Sequence, residues 1–126
     1  MEKNSPELSR RIIDCAFDVY RVIGPLQSEG VYQKAMQVAL REEGLDFQAQ
    51  KHLPIHFRGH KVGRGLVDLM VDEQIIVELK AVSGLHPQHI AQVQRYLSAA
   101  HVRRGLILNF GCPDNLEIKH VRARHE

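Results

Sequence analysis

Two short apolar runs, LVDLMV and IIVELKAV, joined by the polar turn Asp72-Glu73-Gln74, constrain this chain more than any other feature. Runs of that length, rich in Val, Ile and Leu and bounded by polar residues, specify a β-hairpin. Side chains two apart in a strand leave on the same face. Glu78 and Lys80 therefore share one face, while Val77, Leu79 and Ala81 fill the other. Nine residues separate Asp68 from Glu78, which puts a second acid on the adjoining strand. Charges set among Ile, Val and Leu are costly unless something holds them. A divalent cation is one such partner. An ion-pair array on a solvated face is the plainer alternative.

The rest of the chain supplies elements around that hairpin. Ser5-Pro6-Glu7 is a helix start, with a capping serine and proline at the first helical position. Leu8, Ile12, Ile13, Ala16, Phe17, Val19, Tyr20 and Ile23 recur at helical spacing as far as Gly24-Pro25. A second helix runs from Ser28-Glu29 to Gly44, with Val31, Tyr32, Ala35, Met36, Ala39 and Leu40 inward. Residues 46–57 alternate as a strand, and Pro54 makes it an edge strand or one bulged there. Arg58-Gly59-His60 is a turn. Residues 61–71 and 74–82 form the hairpin strands. A third helix over 86–101 carries Pro87 in its first turn. Residues 105–110, GLILNF, read as a buried parallel strand, and residues 116–121 as a last strand. The order α-α-β-β-β-α-β-β, with a crossover helix, predicts an α/β fold: a mixed sheet with helices packed on it, in a single domain over 1–126.

Composition excludes several classes. At 126 residues and 44% hydrophobic content, the chain can build a core without staples. No apolar stretch approaches the roughly 20 residues of a membrane span, and the first residues lack the apolar centre of a signal peptide. Cys15 and Cys112 lie far apart, Cys15 in an amphipathic pattern that makes it a core thiol, so a cytoplasmic setting is expected. The net charge of +2 decides little by itself, but cations cluster at Arg10-Arg11, Arg58 to Arg64, Arg103-Arg104 and Arg122-Arg124, either as phosphate contacts or as plain solvated surface. Eight histidines include no HExxH spacing, which leaves structural zinc unsupported. Phosphate-binding glycine loops and serine-hydrolase elbows are absent.

Carboxylates and carbonyls suit Mg²⁺ or Mn²⁺. Asp68 and Glu78 are the candidate metal ligands, with the Leu79 carbonyl as a third. Such an ion polarises a phosphate and lowers the pKa of a bound water. Lys80 would orient that water or neutralise developing charge. In the third helix Gln88, Gln92 and Arg95 fall on one side, and Gln92 can hydrogen-bond a metal-bound water or a phosphate oxygen. Glu29 either caps its helix or adds an acid facing the metal cluster, with Tyr32 one turn on.

The strings GPLQSEGVYQKAM, VDLMVDEQIIVELKAV, AQVQRYL and GLILNFG together resemble the GxxExxY proteins, small bacterial and archaeal members of the PD-(D/E)XK nuclease superfamily. The resemblance covers about residues 10–121. It implies a restriction-endonuclease-like αβββαβ core, with metal acids at Asp68 and Glu78, the catalytic lysine at Lys80, the accessory glutamine at Gln92 and the helix acid at Glu29. Tyr32 and Tyr96 match the family's tyrosines. The glycine that opens the family's naming motif is Leu26 here. The expectation is a metal-dependent nuclease that cuts DNA, with RNA the less favoured substrate, as a possible homodimer and away from membranes. Substrate contacts are expected from Tyr32, Tyr96 and Arg95. The alternative is a binding or protein-interaction module that keeps the fold without turnover.

Overall fold

The computed structural model describes residues 5–124, apart from the Ser5 side chain, so the expected serine cap lies outside the described atoms. Two helices come first, α1 (Ser5–Ile23) and α2 (Glu29–Glu42). Three strands follow, β1 (Phe47–Phe57), β2 (His60–Val71) and β3 (Ile75–Lys80). Helix α3 (Pro87–Ala100) leads into β4 (Arg104–Asn109) and β5 (Glu117–Arg122). The element order is the expected one.

The five strands lie side by side in chain order. Only β3 and β4 run parallel, joined by the α3 crossover; the other neighbours are antiparallel. Alternation along β3 and β4 splits the interior in two. Ile75, Val77, Leu79, Leu106 and Leu108 pack with α1 and α2 on one face. Ile76 and Ile107 pack with Val93 and Leu97 of α3 on the other. The sheet is thus sandwiched between two helical layers.

Local chemistry explains the turns. Ser28 caps α2 by accepting from Val31 N–H. Asp72 and Glu73 both take positive φ, and Gln74 N–H closes their turn on the Val71 carbonyl, the handedness that suits a hairpin. As Pro54 implied, β1 is an edge strand, and its register also shifts between Ile55 and His56. β3 ends at Lys80, two residues short of the expected end. The Asn109 side chain takes both the N–H and the carbonyl of Val82, which removes that residue from any ladder.

Candidate active site at the parting of two strands

The β2–β3 ladder ends at the pair Leu69–Val77. One step further, Asp68 and Glu78 face each other and their carboxylates replace the missing backbone bonds. Leu79 N–H donates to Asp68 Oδ2 at 2.9 Å. Asp68 N–H donates to Glu78 Oε2 at 3.4 Å. Each acid is thereby fixed by the other's strand. The two strands separate at this point, so the acids stand at the mouth of a fork.

Glu78 continues the Ile76 face, on the α3 side, and is only 4% exposed. Burial comes first, followed by a hydrogen bond with Asp68 and repulsion from its carboxylate, in pushing Glu78 up to about 9, while Lys80 pulls it down. Lys80, half-buried, leaves the same face two residues on. The Gln33 side chain of α2 donates to the Asp68 carbonyl at 3.1 Å, which ties that helix to the acid. Glu29 is one turn earlier on the same side of α2.

The start of α3 closes the arrangement. His86 N–H donates to His89 Nδ1 at 3.1 Å, so an imidazole serves where a capping box normally has Glu or Gln. That bond leaves the neutral ring with its proton on Nε2. Burial, then Lys80 and His86, lower the His89 pKa, and Glu29 opposes them. The ends of β3, α2 and α3 therefore meet. Gln92, half-buried, lies on the α3 turn after His89, and Arg95 is exposed beyond it.

Other expected site residues sit elsewhere. Tyr32 is fully buried, stacked on Phe110 with ring centroids 4.3 Å apart. Its hydroxyl donates to the Gly24 carbonyl at 2.5 Å and accepts from Gln27 N–H at 3.2 Å. The ring has no exposed surface to offer the expected substrate contact and instead holds the 24–27 loop. Tyr96 lies across the backbone of Gly65, where an added Cβ would come within 2.5 Å of the ring. Glu29 is exposed, and among the described residues no three of His, Cys, Asp and Glu gather around one point.

The donor set still fits a hard divalent ion. Burial first, then the neighbouring Asp68 carboxyl, make Glu78 resist ionising, and a divalent cation would offset both. Mg²⁺ characteristically takes one or two carboxylates and keeps several waters. Sequence reasoning missed Gln33, His89 and Asn109. Gln33 was within reach, four residues from Glu29 on one helix.

The family model of the PD-(D/E)XK nuclease superfamily matches residues 6–121, and the chain belongs to that superfamily. It is similar to the crystal structure of SSO0001 with a TM-score of 0.62 and 16% identity, over 96% of this chain and 60% of that one. At that identity the likeness speaks for the fold, a mixed restriction-endonuclease-like sheet flanked by helices. The chain thus spans about 60% of the length of that solved protein. No curated protein matches it.

Proposed function

We propose that this protein is a metal-dependent nuclease that hydrolyses phosphodiester bonds, in DNA rather than RNA, and that it stands with the GxxExxY proteins within its superfamily. The observation that carries this reading is the pair of carboxylate–backbone hydrogen bonds at the fork, Leu79 N–H to Asp68 and Asp68 N–H to Glu78, with Lys80 on the same face as Glu78. A bound Mg²⁺ or Mn²⁺ would supply Lewis acidity toward the phosphate and a more acidic water.

The chain's own groups do the rest. Asp68 and Glu78 would hold the ion, with Asp68 oriented by Leu79 N–H. The Leu79 carbonyl is suitably turned as a further ligand. Phe110 N–H donates to the Lys80 carbonyl at 2.8 Å, so Lys80 faces β4 with its backbone. Alternation along the strand turns the Leu79 backbone the other way, toward Asp68. Lys80 stabilises negative charge on the phosphate or orients the attacking water. Gln92 and Arg95 line the approach along α3, and Glu29 holds a cation or water at the edge of the site.

The test is incubation of the purified protein with plasmid, linear and single-stranded DNA, and with RNA, in Mg²⁺ or Mn²⁺. Metal-dependent cutting should disappear in Asp68→Ala and in Lys80→Ala. Cutting that persists undiminished in both variants would rule out this site.

A further inference from the structure

We propose that the free end of the β1–β2 hairpin, residues 54–64, is a DNA-docking arm whose two-stranded ribbon lies in the major groove of the duplex. This rests on the nucleic-acid reading above but not on turnover. The pairing of β1 with β2 continues from Phe47–Val71 out to Phe57–His60, whereas β3 accompanies β2 only at residues 69–71. The ribbon therefore runs on beyond the sheet. Its base is covered by α3, against which Leu53 and Val67 are buried and Tyr96 crosses Gly65. Every residue from Pro54 to Val62 is exposed.

The arm's charge differs from that of the body. Residues 47–67 contain Lys51, Arg58, Lys61 and Arg64 and no acid, a charge of +4. The whole chain carries +2, so everything else sums to −2. Cations thus gather on a protrusion of an otherwise slightly acidic protein, where they meet phosphates with least repulsion. Ile55, Phe57, Val62 and Leu66 are exposed among them, and the Arg58 guanidinium sits 4.9 Å from the Phe57 ring centroid. Apolar groups flanked by cations suit a groove whose walls are phosphate and whose floor presents base edges and methyl groups. A second copy of the same arm, facing it, would set +4 against +4. Shape decides the polymer: a two-stranded ribbon fits the major groove of B-form DNA, whereas that of A-form RNA is deep and narrow.

Guarding a sheet edge against aggregation is the rival explanation for such cations. Both are tested by fluorescence anisotropy of a labelled duplex two helical turns long, in EDTA so that no cutting intervenes. Binding to DNA should exceed binding to RNA of the same sequence. The variant Arg58→Gln/Lys61→Gln/Arg64→Gln should lose about tenfold or more in affinity, and its slope of log K against log salt should shrink by about 2–3. The control Arg10→Gln/Lys34→Gln/Lys119→Gln, exposed on other elements, should keep the parent slope. Should the triple variant not fold, Arg58→Gln alone at the exposed turn must reduce the slope by about 1. Binding equal to the parent's, equal losses in arm and control variants, aggregation without loss of affinity, or preference for RNA overturns the proposal. DNA held through the arm without metal-dependent cutting would sink the nuclease reading and leave the arm standing.

Discussion

Glu78 shows what one side chain can report. Its carboxyl ionises near 4.5 when exposed and is pushed up to about 9 in the folded chain. Between those values the folded protein keeps a proton that the unfolded chain has released, so this group's contribution to stability falls as pH rises through that window. Glu78→Gln should therefore raise the metal-free melting temperature at pH 8 and change it little at pH 4.5, as circular dichroism melts can show. Leu26 offers a second test at this scale. It takes φ +76° while 85% exposed, a backbone that costs a side-chain-bearing residue about 1 kcal/mol. It stands where the resemblance expects glycine, and Leu26→Gly should raise the unfolding free energy by about that much, read as a higher urea midpoint with an unchanged m-value. Asp68, Glu78 and Lys80 were legible because spacing along a strand is local arithmetic. Tyr32 was not. Its partners Phe110 and Gly24 meet it only once the fold has closed, so no local pattern separated a core tyrosine from a site tyrosine.

Elements were easier to recognise than to bound. Hydrophobic periodicity located all eight, since burying one face is what makes each of them. Their ends depend on partners distant in sequence, and β3 stops where Asn109 captures Val82. The fork between β2 and β3 was equally hidden, because a hairpin pattern does not say how far pairing continues. At the far end of β4, Gly111 admits no side chain: a Cβ there would lie 2.3 Å from the Val82 carbonyl oxygen and 2.4 Å from its nitrogen. Gly111→Ala should cost about 1–3 kcal/mol or more, because backbone rather than a flexible tip must move. Asn109→Ala should cost a similar amount by leaving Val82 with unpaired polar groups. Both should also weaken cutting if Lys80, two residues before Val82, shifts with that segment; denaturation and cleavage assays on the same samples separate the two effects.

Across the whole molecule, two cores share one sheet. Leu40 belongs to the core under α1 and α2, Leu97 to the core under α3. A side chain truncated in either core should weaken a single transition, because every central strand contributes to both. Leu40→Ala and Leu97→Ala should each cost about 2–5 kcal/mol, with calorimetric and optical melts remaining coincident. Separate transitions would mean that the layers unfold independently. The charge asymmetry was in plain sight in the sequence but averaged away in a net value of +2. It acquired meaning only when pairing showed that the acid-free stretch leaves the sheet. β2 is continuous from His60 at the tip to Asp68 at the fork, and eight residue steps along a strand reach about 27 Å. At about 3.4 Å per base-pair step that is close to eight steps of duplex. Oligonucleotides shorter than this can engage tip or fork but not both, so processing should show a minimum substrate length near that value, set by the ruler that one strand provides.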